Sequence, residues 1–174
     1  MNNKPSLNTS TIPEVLKSRS QWVAWRWETK GDGQTTKPPY NIKTGQLASS
    51  TDSMTWAPFH EAVAALENGF DGIGYVLTAS DEIVFIDIDH AVDPDTGKLT
   101  DEAQEVVDRF DTYTEVSVGG GGLHILCRGT IAGKGRKKGD FEIYNDKRFF
   151  TVSGSHLKGT PGEILPRQDA IDGF

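Results

Sequence analysis

Cysteine is all but missing from this chain: Cys127 is the only one in 174 residues, which excludes an internal disulfide and any thiolate cluster for zinc. Because Cys127 closes the apolar run Leu123 to Cys127, it is expected to be a buried, inert thiol, and an intracellular protein fits. No apolar stretch approaches the length of a membrane-spanning helix, and the polar opening Met1 to Thr11 lacks the hydrophobic centre of a signal peptide. No membrane association is therefore expected. Positive charge is also in deficit, with 18 Lys and Arg against 25 Asp and Glu for a net charge of −7. That balance argues against a protein that coats nucleic acid by bulk charge, since nonspecific phosphate binding depends on Lys and Arg. Internal repeats and low-complexity tracts are absent.

What remains reads as one α+β domain of ordinary size. Residues 1–12 are polar and aperiodic and are expected to be flexible, leaving 13–174 as the folded unit. Pro13 to Ser18 suits a short helix, and the aromatic run Gln21 to Glu28 suits a strand whose tryptophans serve packing rather than base stacking. Thr36 to Ser53, with Pro38-Pro39 and Gly45, reads as loop or irregular extended chain. A helix is predicted over 56–68, where Phe59, Val63 and Leu66 share a face and Gly69 marks the end. Ile73 to Thr78 and Ile83 to Ile88 read as an antiparallel hairpin. Asp101 to Phe110 is predicted as an acidic amphipathic helix with Val106, Val107 and Phe110 turned inward. Strands follow at Thr114 to Ser117 and Leu123 to Arg128, and a last hairpin is predicted from Phe141 to Asn145 and Arg148 to Ser153 around Asp146 and Lys147.

Three strand-borne clusters carry the chemistry. In the first, the apolar run Ile83-Val84-Phe85-Ile86 ends in Asp87-Ile88-Asp89, and strand alternation projects Asp87 and Asp89 together while Val84, Ile86 and Ile88 face the other way. Two like charges side by side are costly without a cation. The pair therefore reads either as a divalent metal site or as turn-capping aspartates, and hard oxygen donors without cysteine favour Mg²⁺ or Mn²⁺. The second cluster is Gly119 to Gly122 followed by Leu123-His124. Four glycines let backbone amides approach an anion, though a flexible turn looks the same, and a lone histidine is as readily structural as functional. In the third, Glu142 shares a strand face with Tyr144 and is a candidate third oxygen ligand. Arg148 is a candidate phosphate contact, and a Glu142–Arg148 cross-strand ion pair is the alternative. Asp93-Pro94-Asp95 hints at calcium, but the sixth and twelfth positions of such a loop are Lys98 and Gln104, which excludes an EF-hand. Basic residues concentrate at Lys134, Arg136, Lys137, Lys138, Lys147 and Arg148, as either a solvated loop or a strip suited to a polyanion.

In this order, Phe85 to His90, Ser117 to His124, and Glu142-Ile143-Tyr144 with Arg148 to Gly154 resemble the three motifs of the archaeo-eukaryotic primase superfamily, especially the primase-polymerases of phages and plasmids. Trp22 to Trp25, Thr36 to Asn41, Ala48 to Asp52 and Gly72 to Leu77 are similar to upstream segments of the same proteins, so the resemblance covers roughly Gln21 to Leu157. It implies an RRM-like antiparallel catalytic sheet with flanking helices and a smaller N-terminal αβ unit. It further implies template-directed nucleotidyl transfer at a two-metal site of Mg²⁺ or Mn²⁺, in a cytoplasmic protein encoded by a bacterium, archaeon, phage or plasmid. Asp87, Asp89 and Glu142 would be the metal ligands and, with His124, the catalytic set. Gly120, Gly121, Gly122, His124, Arg148, Phe149 and Lys37 would bind the nucleotide, with Phe149 near the sugar. DNA template and primer and nucleoside triphosphates would be the partners, possession of a C-terminal helical or helicase domain being common in such proteins. One departure stands out: where the family often carries Ser-Pro-Ser-Gly, this chain reads Ser117-Val118-Gly119-Gly120 and lacks the second hydroxyl. The other readings are a noncatalytic nucleotide or single-strand binding module of a replication initiator, and a metal-dependent nuclease.

Overall fold

In the computed structural model, which describes residues 6–174, the apolar run becomes strand β6 (Ile83–Ile88) at the centre of a five-stranded antiparallel sheet. Its order is β7 (Thr114–Val116), β8 (Leu123–Arg128), β6, β10 (Phe141–Tyr144) and β9 (Arg136–Lys138). Alternation sorts the side chains of β6 as the sequence requires. Val84, Ile86 and Ile88, with Leu123, Ile125, Cys127 and Ile143, pack against helix α3 (Asp101–Phe110) and helix α4 (Gln168–Asp172) through Ala103, Val107, Phe110, Ala170 and Ile171. Burial pushes the Cys127 thiol up to about 12, so it is the unreactive core residue the sequence suggests.

The opposite face of β6 meets a second antiparallel sheet, ordered β11 (Arg148–Val152), β5 (Gly72–Leu77), β1 (Trp22–Trp25) and β4 (Pro39–Tyr40). Ile83, Phe85, Tyr113 and Leu126 share a core there with Trp22, Ile73, Tyr75, Leu77, Phe150 and Val152. The rings of Phe85 and Phe150 stack with centroids 4.3 Å apart, fixing the spacing of the two sheets. Helix α1 (Glu14–Lys17) and helix α2 (Phe59–Ala64) join this core through Leu16, Phe59 and Ala62.

Both predicted hairpins are corrected. β5 and β6 belong to different sheets, as do β10 and β11. The first connection contains a 3-10 turn (Ala79–Asp81) closed by reciprocal Thr78–Asp81 hydrogen bonds, and Glu82 follows at φ 55°. The second connection includes Lys147, also left-handed at φ 53°. The two are tied side by side, Ala79 N donating to Asp146 Oδ1 at 3.1 Å and Lys147 N to Leu77 O at 3.0 Å. Two segments thus cross between sheets together, so that β5 pairs with β11 and β6 with β10. The physical reason lies in the connections: left-handed Glu82 and Lys147 and the bonds that tie the two segments together turn each of them out of its sheet instead of back along it.

Other elements follow the sequence more closely. The predicted 56–68 helix is α2, continued by a 3-10 turn (Ala65–Asn68) that ends on Gly69 at φ 89°. Helix α3 starts where Thr100 accepts from Ala103 N and carries Asp101 and Glu102 in its first turn, two features that favour a helix start. The predicted 21–28 strand divides: β1 ends at Trp25, and β2 (Glu28–Thr29) forms a separate ribbon with β3 (Thr35–Thr36). Of the stretch expected to be flexible, residues 1–5 lie outside the described residues. Within 6–12, Asn8 N donates to Ser153 O at 3.0 Å, and Ile12 is buried.

Gly74 in β5 makes room for the Phe149 ring: a Cβ there would lie 1.9 Å from Phe149 Cε2 and 2.7 Å from Phe150 O. Gly74→Ala is expected to destabilise by about 1–3 kcal/mol through overpacking, read as a lower urea midpoint with an unchanged slope. An unaltered midpoint would refute that close packing.

Candidate active site

The register of the five-stranded sheet assembles the site. Glu115 on β7 is opposite His124 on β8, His124 opposite Asp87 on β6, Asp87 opposite Glu142 on β10, and Glu142 opposite Lys137 on β9. Side chains paired across antiparallel strands project to the same face. Five strands therefore present one row of ionisable groups, lying two residues along from Phe85 and Leu126, where the sheets still touch. Beyond that contact a cleft of about 310 Å³ opens, and it is lined by Lys37, Asp87, His124, Glu142, Arg148 and Phe149 among others. Six residues singled out in the sequence meet there.

Asp87 is the electrostatic centre. Its carboxyl is raised above the ordinary range, mainly by burial and further by the charges of Asp89 and Glu142, with His124 and Lys37 pulling the other way. His124 Nε2 lies 3.9 Å from Asp87 Oδ1, too long for a hydrogen bond but close enough for strong Coulombic coupling. Burial lowers the Lys37 ammonium against the pull of Asp87 and Asp89, and its Nζ lies 5.0 Å from the centre of the Trp27 ring. Burial pushes Glu142 up, but hydrogen bonds from Lys137 and Tyr144 outweigh it and hold the carboxyl below its usual value. Arg148 lies over the Tyr144 ring at 4.3 Å. The Glu142–Arg148 ion pair expected of a hairpin is not formed, because β10 and β11 lie in different sheets and Lys137 on β9 takes Glu142 instead.

Asp89 follows the end of β6 and is exposed, its amide donating to Asp140 O at 2.8 Å. His90 faces Asp140, Nδ1 to Oδ1 at 3.4 Å. Among the described residues no three His, Cys, Asp or Glu side chains stand gathered in a ready metal-binding group. The donor chemistry nonetheless fits a hard divalent cation, since burial and like charge leave Asp87 short of positive compensation.

The glycine loop lies beside the end of β6 and does not line the cleft. Gly120 is left-handed at φ 80°, and a Cβ on Gly122 would stand 2.9 Å from Ile88 O. Ser117 closes the loop, its Oγ accepting from Gly122 N at 3.2 Å and its carbonyl from Gly120 N at 2.8 Å. The amides of Gly119 and Gly121 donate to no acceptor among the described residues.

Glu115 was not singled out in the sequence. It is 1 % exposed, and its Oε1 lies 3.2 Å from His124 Nδ1. The available signal was weak: an acid between Thr114 and Val116 in a short strand, whose partner nine residues on is revealed only by strand pairing.

No family model matches the chain. Over 157 residues, 85% of its length, the chain is 36% identical to a protein of Nitratiruptor phage NrS-1 described as a DNA primase-polymerase. The match spans 21% of that protein, so the chain corresponds to about a fifth of its relative.

Proposed function

We propose that the chain is the catalytic domain of a DNA primase-polymerase, performing template-directed nucleotidyl transfer from nucleoside triphosphates. The observation that carries this reading is the cross-strand row placing Asp87 between His124 and Glu142 in a cleft shared with Lys37 and Arg148. Similarity to the phage primase-polymerase over 85% of the chain supports it. On this reading the five-stranded sheet with α3 and α4 is the RRM-like catalytic sheet, and the four-stranded sheet with α1 and α2 is the smaller N-terminal unit.

Asp87 and Asp89 would hold Mg²⁺ or Mn²⁺, and Glu142 would join them by exchanging its bond to Lys137. Bound divalent ions supply activation of the attacking 3′ hydroxyl and neutralisation of the leaving pyrophosphate. The chain's own groups position the substrate. His124, with hydrogen on both ring nitrogens, would donate Nε2–H to the triphosphate, and Lys37 and Arg148 would add charge from the lining of the cleft. Phe149, half-buried against Gly74, offers a face for the sugar. The free amides of Gly119 and Gly121 offer further donors to an anion near Asp89. For template and primer, β9 is an exposed edge strand, and its Arg136 and Lys138 with nearby Lys134 form no ion pair among the described residues. Phosphates of a DNA backbone suit that edge. A further helical or helicase region, common in primase-polymerases, would belong to the same protein.

A noncatalytic nucleotide-binding module is the second reading, favoured by the Lys137–Glu142 pair and by the missing hydroxyl at position 119. It requires triphosphate binding without turnover on any template.

Primer extension with Mg²⁺ or Mn²⁺ decides between them. Asp87→Ala combined with Asp89→Ala is expected to lower activity about a thousandfold, the scale of several kcal/mol of lost transition-state stabilisation; extension at the wild-type rate would sink the proposal. Stability gives a second check. Because the folded state raises the Asp87 carboxyl above its unfolded value, ionisation opposes folding. This contribution is most favourable below the unfolded value and is lost as pH rises through the folded one. At neutral pH without divalent ions, Asp87→Asn should therefore melt higher than wild type, the gap closing in acid. Mg²⁺ or Mn²⁺ should raise the melting temperature of wild type and leave that of the variant unmoved.

A further inference from the structure

We infer that Glu115 is a positioning residue that locks the His124 ring with Nε2 toward Asp87 and clamps the end of β11 to β7, holding both walls of the cleft in one frame. Four groups converge on its carboxylate. Oε1 accepts from Ser153 N at 3.0 Å and faces His124 Nδ1 at 3.2 Å; Oε2 accepts from Gly154 N at 2.9 Å and from the Tyr113 hydroxyl at 3.0 Å. Two of these are backbone amides, which only donate, and each takes a different oxygen. An ionised carboxylate, which only accepts, satisfies all four; a carboxamide would turn its NH₂ against one fixed amide.

With Oε1 accepting, His124 must carry hydrogen on Nδ1, which leaves Nε2 as the nitrogen on the cleft side, 3.9 Å from Asp87 Oδ1. The ring has little other freedom. It is 5 % exposed and lies edge-on to Phe85 at 5.2 Å and to Phe150 at 6.2 Å. The same carboxylate spans the two sheets, since Ser153 and Gly154 directly follow β11, the strand that carries Arg148 and Phe149. Neighbouring bonds reinforce the clamp: Ser153 Oγ donates to Val116 O at 2.6 Å, and Val116 N to Ser155 O at 2.9 Å. Gly154 itself turns at φ 64°, with Asn8 O so close that a Cβ would stand 2.0 Å from it. One buried anion thus sets the orientation of His124 and the anchorage of the facing wall. The effect on nucleotide binding rests on the function proposed above; the positioning itself does not.

The test begins with long-range ¹H–¹⁵N spectra of the His124 ring in the full chain at neutral pH without divalent ions. A proton on Nδ1 is expected, against the usual preference of free histidine in water for Nε2–H, and a bare Nδ1 in the wild type would overturn the inference even if every variant failed to fold. In Glu115→Ala, which leaves Nδ1 no carboxylate acceptor, the Nδ1 proton signature should be lost, and unchanged ring resonances would overturn it equally. In primer extension, Glu115→Gln should raise KM for the incoming deoxynucleoside triphosphate roughly 10- to 100-fold, the scale for removing a carboxylate that orients a functional histidine. The fall in kcat should be smaller, and Glu115→Asp should recover part of the loss. A fall in kcat at constant KM would count against the role. Because the spectra require no turnover, they judge Glu115 even if the chain extends no primer.

Discussion

In-register pairing of five strands is the constraint on which the rest of this structure depends. It lines up Glu115, His124, Asp87, Glu142 and Lys137, one from each strand, across a single face. Read along the row, acids flank the histidine and a lysine ends the line, but Asp87 and Glu142 stand side by side as like charges, an arrangement that destabilises a sheet. The protein relieves only one of them. Glu142 receives Lys137 and the Tyr144 hydroxyl and is held below its usual value, whereas Asp87 has Lys37 and His124 near it but no hydrogen bond from either, and remains raised. Of the two carboxyls that line the cleft, Asp87 is thereby the one whose ionisation is opposed, and on the proposed reading a divalent ion would offset that cost.

Register is a fragile property, because a slip of one residue along β6 would send Asp87 to the helix face and bring Ile86 or Ile88 into the cleft. Packing on the far side of the sheet prevents it. Val84, Ile86 and Ile88 are all buried against α3 and α4, so a slip would bury a carboxylate among aliphatic side chains and expose isoleucines. Two residues before Asp87, the stacked rings of Phe85 and Phe150 hold the second sheet at a fixed distance, and that sheet brings Arg148 and Phe149 to the cleft. The hydrophobic core and the polar row are two consequences of the same alternation.

Much of this was legible because it was local. The apolar run before Asp87 announced a buried strand with two carboxylates at its end. The strand Leu123 to Arg128 has the bounds its composition suggested, and helix 101–110 followed from its amphipathic periodicity. What was lost concerned partners far apart in the chain. Ile73 to Ile88 has the spacing of a hairpin, and so does Phe141 to Ser153; nothing within either segment says that each turn carries the chain into another sheet. Only when both crossings are laid side by side, through Ala79 and Asp146, does the exchange of neighbours make sense. Glu115 escaped notice for the same reason, since its meaning lies in His124, Tyr113, Ser153 and Gly154. Lys37 reached the candidate list through family resemblance alone. Its place in the cleft depends on the chain returning from the β2–β3 ribbon over Trp27, a path that the proline-rich sequence around it does not disclose.

Asp87 and Asp89, equivalent in sequence, end in different surroundings. Asp87 lies within the strand, paired on both sides by β8 and β10, so its backbone has no freedom to adjust. Asp89 comes one residue after the strand ends, exposed and just before His90, which turns the chain at φ 53°. A site built from one rigid and one adaptable carboxylate suits a cation whose coordination must change as substrate arrives. On the proposed reading, the rigid member would fix a cation relative to His124, and the exposed one would leave room for the nucleotide. On that reading, the end of β6 at Ile88 is itself functional: it keeps Asp87 inside the ladder and leaves the Asp89 side chain exposed beyond it.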